Sequence, residues 1–191
     1  YKRQLKACAP LHEFGPTTDC NAARNRAILW MLWDTGIRLA ELCNLRLPDF
    51  DRNRGAIIVR GKGDKERRIA LGRNALRALL LYIDRYRQNR EMLLELGNPN
   101  EEHVFLSEGG FGLTRRGIDM LFQHIRRRAD LPKDKRISPH IFRHTFAVRY
   151  LMLGGDIYTL QELLGHEDIA TIKNYMHLND TLIQEQKRKF S

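Results

Sequence analysis

The 191 residues include 33 Lys and Arg against 23 Asp and Glu, for a formal net charge of +10, and 42% of them are hydrophobic. That supplies a packed core for one sizeable domain or two small ones, and the charge favours a polyanionic partner, nucleic acid ahead of an anionic membrane. No apolar run approaches the ~20 residues of a spanning helix, and no stretch reads as a signal peptide, an internal repeat or a low-complexity segment.

Three cysteines, Cys8, Cys20 and Cys43, are odd in number and lack metal-ligand spacing, so they read as free thiols of a reducing cytoplasm. Tyr1 opens the chain without an initiator Met, which suggests a fragment of a longer protein. Residues 1–18 are basic, then irregular, and end in Gly15-Pro16-Thr17-Thr18, a lead-in or linker. Asp19 is a helix cap, and Ala23, Ala27, Trp30, Met31 and Trp33 predict a helix to about Thr35 that is buried on much of its circumference. Gly36 ends it. Leu39, Leu42 and Leu45 predict a second helix, stopped by Pro48.

Ala56–Arg60 and Glu66–Leu71 are β-branched or alternating runs around Gly61-Lys62-Gly63-Asp64-Lys65, a turn composition, and so predict a β-hairpin. A long helix is expected from about Arg73, with Leu76, Leu79, Leu80, Ile83 and Tyr86 as its apolar stripe, fading through Gly97-Asn98-Pro99-Asn100. Val104-Phe105-Leu106 is a short extended piece before a Gly109-Gly110 turn. Thr114 caps a further helix with Ile118, Leu121, Phe122 and Ile125 on its core face and Arg115, Arg116, Arg126, Arg127 and Arg128 on the other. The whole reads as mainly α with a small antiparallel β-sheet (α+β).

Ser138 to Tyr175 organises the rest. Ser138 caps, and Pro139 opens, a helix that carries His140, Arg143 and His144 at i, i+3 and i+4 on one face. Ile141, Phe142, Thr145, Phe146 and Leu153 are the expected core side. Gly154-Gly155 ends this helix and Asp156 caps the next. Cationic groups crowded on one face repel unless an anion joins them. Arg38, just after Gly36, is either a surface partner of Glu41 or functional. Lys62 sits at a hairpin tip, solvated or functional. His166 follows Gly165 at a helix end, where a dipole cap is the plain reading, and Tyr175 is one of six tyrosines.

These residues also match a family pattern. Thr35-Gly36-Ile37-Arg38-Leu39-Ala40-Glu41-Leu42 resembles the first arginine motif of tyrosine recombinases, the phage integrase family. Gly61-Lys62-Gly63-Asp64-Lys65-Glu66-Arg67 resembles its lysine hairpin, and His140-Ile141-Phe142-Arg143-His144 its His-x-x-Arg box. Leu164-Gly165-His166 and Tyr175, nine residues apart, complete it. The resemblance spans residues from about 20 to 180 and implies the catalytic-domain fold of that family over 19–177. The helical DNA-clamping domain usual ahead of it has no counterpart here.

The resemblance implies a site-specific DNA recombinase that works without metal or nucleotide cofactor. Arg38 and Arg143, planar and always charged, would meet the charge on the non-bridging oxygens of a five-coordinate phosphorus, and His166 would add a hydrogen bond. Tyr175 would be the nucleophile. Its ordinary pKa of about 10 calls for a base or a positive pocket, and His140 is the candidate base. Lys62 is implied as the proton donor to the leaving 5′-oxygen. The product is a 3′-phosphotyrosyl bond that can be religated. Glu41 either orients Arg38 or makes a solvated bridge, and His144 either supports its helix or touches phosphate. Lys65, Arg67, Arg68, Arg115 and Arg116 are expected at the phosphate backbone.

Double-stranded DNA is the expected partner, with a homotetramer on two sites and a monomer for the isolated domain. Residues 178–191, with Leu182, Ile183 and Phe190, form a tail that packs on its own domain or on a neighbouring subunit. The expected setting is the bacterial cytoplasm, on the nucleoid. Three rival readings are a non-catalytic DNA-binding module, type IB topoisomerase-like strand passage, and a metal nuclease. For the last, His140 and His144 lack a third ligand nearby.

Overall fold

The computed structural model describes residues 20–61, 65–128 and 137–165. Asp19, Lys62, His166 and Tyr175, together with the lead-in and the tail, lie outside the described residues. The chain runs α1 (Cys20–Thr35), α2 (Leu39–Asn44), a 3-10 turn (Leu47–Asp49), β1 (Phe50–Asp51), β2 (Ala56–Arg60), β3 (Glu66–Ala70), α3 (Arg73–Leu81), α4 (Arg90–Glu95), α5 (Arg115–Arg128), α6 (Pro139–Met152) and α7 (Ile157–Leu164).

α1 is the central helix. Ala23, Ala27, Ile28, Leu29, Met31, Leu32 and Thr35 are buried around its circumference, as α3 and α6 pack against it. Trp30 and Trp33 are half-buried. The sheet is antiparallel in the order β1-β2-β3, with Ile57 opposite Ile69 and Val59 opposite Arg67. Its hairpin closes with the Gly61 N–H donating to the Lys65 carbonyl at 2.9 Å. The two-residue strand β1 is not foreseen by the sequence, since its pairing to Ala56 and Ile57 is tertiary and leaves no period there. Leu45, read as part of α2, is instead its C-terminal flank, and Pro48 lies in the 3-10 turn beyond.

The long helix expected from Arg73 is broken. α3 passes into a π turn over Tyr82–Tyr86, and Asn89 starts α4 by accepting from the Met92 N–H at 2.9 Å. The break frees the Arg87 guanidinium to grip the carbonyls of Glu101 and His103. Of the expected stripe Leu79 is buried, in company with Ala75, Ala78 and Tyr82, whereas Leu76, Leu80, Ile83 and Tyr86 are only partly buried. The Tyr82 hydroxyl accepts from the Leu106 N–H, and burial pushes its pKa up to about 12.

α5 and α6 start as their caps dictate. Thr114 Oγ1 accepts from Gly117 and Ser138 Oγ from Ile141. Asp156 caps α7 by accepting from the Thr159 N–H at 2.7 Å. Phe142, Thr145 and Phe146 are buried as expected, but Leu153 is 80% exposed because the helix ends at Met152, and Leu151 fills the core instead. α6 thereby bridges two apolar clusters. Phe142 belongs to the main core around α1, and Phe146, Ala147, Val148 and Leu151 to a smaller one with Leu160 and Leu164 of α7.

Candidate active site

The site begins at the turn between α1 and α2. Thr35 Oγ1 donates to the Met31 carbonyl and accepts from the Ile37 N–H, fixing the chain around Gly36. Gly36 has φ +59°, and a Cβ there would lie 2.6 Å from Phe146 Cδ1. Only glycine lets the turn press against α6 in that conformation. Arg38 follows as the residue ahead of α2, and Glu41, one turn in, accepts from its backbone N–H at 2.9 Å, one half of a capping box.

Arg38 from just ahead of α2, Arg67 from β3 and Arg143 from α6 converge on the C-terminus of α7. Arg67 Nε donates to the Leu163 carbonyl at 3.0 Å, Arg143 Nη2 to Leu164 at 2.7 Å, and Arg38 Nη2 to Gly165 at 2.9 Å. Three successive carbonyls, the negative end of the helix, are each met by a different guanidinium. Arg143 Nη1 also donates to the Gly36 carbonyl at 2.8 Å, which joins the α1–α2 turn to α7. Gly165 has φ +73°, and the Nη1 atoms of Arg67 and Arg38 stand 3.2 and 3.3 Å from where a Cβ would be, so the bare backbone is what admits both.

Glu41 is the only carboxylate among the hydrogen-bond partners described for this cluster. Its side chain is 4% exposed, and it accepts from Arg67 Nη1 and Nη2 at 2.7 and 2.8 Å and from Arg38 Nη1 at 3.4 Å. The reading of Glu41 as a solvated surface bridge is therefore wrong: its carboxylate is buried between two arginines. Burial alone would raise its pKa, but the hydrogen bonds and charge of Arg67 and Arg38 hold it below the ordinary carboxylate value. Among the described residues, three guanidiniums and one carboxylate gather here, all held on rigid elements.

His140 and His144 lie on the exposed side of α6, one turn apart, beside the half-buried Arg143. Partial burial, and then the neighbouring His140, lower the pKa of His144. Arg38, Glu41 and Arg143 are thus brought together, with His140 and His144 on the helix that carries Arg143. Of the residues expected at a phosphate backbone, Lys65, Arg115 and Arg116 are exposed, and Arg68 is exposed beside Asp51 at 3.7 Å. Arg67 departs from that expectation. Its side chain is only 14% exposed and its donors are engaged inside the protein. The sequence held a signal for this: strand alternation puts Arg67 on the same face as the buried Ile69, away from Glu66 and Arg68.

A model described as the phage integrase family matches residues 4–181. A tyrosine recombinase XerC of Oceanobacillus iheyensis is 41% identical over 179 residues, covering 94% of this chain and 57% of its own. Among solved structures, a XerA recombinase superposes with a TM-score of 0.71 at 30% identity, covering 99% of this chain and 60% of that one. A XerH site-specific recombinase, in a post-cleavage complex with a palindromic difH substrate, gives 0.67 at 25% identity, covering 95% and 50%. The chain spans little more than half the length of these relatives.

Proposed function

This chain belongs to the phage integrase family, and on that premise we propose that it is the catalytic domain of a site-specific DNA recombinase that cuts and rejoins the backbone through Tyr175. The convergence of Arg38 and Arg143 at the end of α7 carries the reading. Two fixed guanidiniums beside one another form a receptor for the non-bridging oxygens of a phosphodiester. They gain strength as charge builds on those oxygens at the five-coordinate phosphorus. His166, which follows Gly165 directly, supplies a further donor.

In the proposed reaction the Tyr175 phenolic oxygen attacks phosphorus, its proton passing to His140. The bond to the 5′-oxygen breaks, and Lys62 gives that oxygen its proton. The 3′-phosphotyrosyl bond conserves the phosphodiester for attack by the 5′-hydroxyl of a partner strand, so religation needs no nucleotide. Basic side chains on the exposed face of α5 and on β3 support backbone binding. A tetramer on two DNA sites would exchange the strands in a bacterial cytoplasm.

Trapping on nicked duplex DNA tests the proposal. Incubated in EDTA with a suicide substrate, whose short downstream strand diffuses away after cleavage, the protein should form a denaturation-resistant adduct attached at Tyr175. Tyr175→Phe should form none. An adduct that persists in Tyr175→Phe, or one that requires a divalent ion, overturns it.

A further inference from the structure

Arg67 is absorbed by neither the proposed phosphate receptor nor the DNA-facing surface. It leaves β3 on the buried side and bonds to two elements far away in sequence: both Nη groups donate to Glu41 on α2, and Nε to the Leu163 carbonyl at the end of α7. Glu41 in turn accepts from the backbone and the side chain of Arg38. A guanidinium is planar and its donors are fixed in angle, so gripping a carboxylate end-on through both Nη groups while bonding a carbonyl through Nε sets the two partners at a definite distance and tilt. We propose that Arg67 is a positioning residue for phosphate stabilisation, which through Glu41 aims the Arg38 guanidinium and holds the end of α7 in register with it.

The inference rests on the proposed strand-cleaving function, and it separates two roles for a strand that also adjoins the lysine hairpin. Acting through Glu41, Arg67 serves the charge on the non-bridging oxygens. Acting through the hairpin, it would serve protonation of the leaving oxygen. A 5′-bridging sulfur distinguishes them, because a thiolate leaves without needing a proton. In both cases the same P–O or P–S bond breaks as the tyrosyl–phosphorus bond forms.

The experiment uses this chain and a nicked duplex recovered from a random-sequence pool by covalent capture on the wild-type protein. The duplex is made with either oxygen or sulfur at the bridging position. Arg67→Gln should bind it within ~3-fold of wild type, yet form adduct ~100-fold more slowly on both substrates, whereas Lys62→Ala should recover on sulfur. Arg67→Lys keeps the charge and guards against a folding defect in the Gln variant. It should bind normally and also cleave slowly on both, because an ammonium cannot reproduce the two-pronged grip. Recovery of the Arg67 variants on sulfur would assign them to the hairpin and overturn the proposal. So would wild-type cleavage by Arg67→Lys with a loss of affinity and of salt dependence in Arg67→Gln, the signature of a simple backbone contact. A wild-type protein that forms no adduct overturns the function itself, and the positioning role with it.

Discussion

The Glu41 carboxylate receives both terminal amino groups of Arg67, at 2.7 and 2.8 Å, and so fastens a strand to the first turn of a helix. Its lowered pKa ties this to stability. A carboxylate whose folded value lies below its unfolded one stabilises the fold above the unfolded pKa of about 4.3, and that contribution is lost as pH falls through the folded value. Glu41→Gln should cost about 3 kcal/mol at pH 7, because it leaves a buried cation half-partnered. The gap to wild type should narrow from about pH 4.3 downward and close at a pH below the folded value. Urea unfolding at both pH values measures it, and an equal gap at both would disprove the ionic account.

Gly36→Ala should destabilise by about 3 kcal/mol, combining left-handed backbone strain with the crowding of a side chain. The new methyl would sit 2.6 Å from Phe146 Cδ1 and 3.2 Å from Leu164 Cδ2. Gly97→Ala is the internal control. Its φ is +75° but nothing lies within 4 Å, so only the strain of about 1 kcal/mol should appear. Similar losses at the two sites would show that packing against α6 contributes nothing.

His144 titrates below the ordinary histidine value, first because of burial and then because of His140 one turn away. Replacing His140 by Ala removes the second cause and leaves the first. The His144 midpoint, followed through its ring Hε1 resonance, should therefore rise part of the way back towards 6.5. A midpoint that stays put or falls would mean the two rings do not sense each other.

Arg115 and Arg116 stand exposed at the start of α5. If they touch phosphates, replacing both by Ala should flatten the dependence of log affinity on log salt by ~1.8, about 0.9 for each phosphate no longer neutralised, on any duplex sequence. An unchanged slope would remove them from the DNA-facing surface.

Local chemistry is legible in the sequence. Ser138, Thr114 and Asp156 each cap the helix that follows, and the hairpin around residues 61–65 announces itself by composition. Arg38 of the first arginine motif and Arg143 of the His-x-x-Arg box do meet at the end of α7. What the sequence hides is set by distant partners. Nothing near Arg87 foretells that the helical run stops there and that its guanidinium turns to the carbonyls of Glu101 and His103. Arg67 misleads because a basic residue beside a basic hairpin looks solvated, until the burial of Ile69 shows which way β3 faces. Leu153 misleads because the helical period runs on one residue past the end of its helix.

α6 spans two apolar clusters of unequal size, with Phe142 in the large one and Phe146 in the small one beneath α7. Elements resting on a small apolar cluster open at a lower free energy than the body that supports them. Amide hydrogens of α7 should exchange through such a partial opening while those of α1 stay protected. Each opening would unseat Arg38, Arg67 and Arg143 at once, because all three hold that helix end. Mild denaturant should therefore silence the constellation before circular dichroism records any loss of the domain.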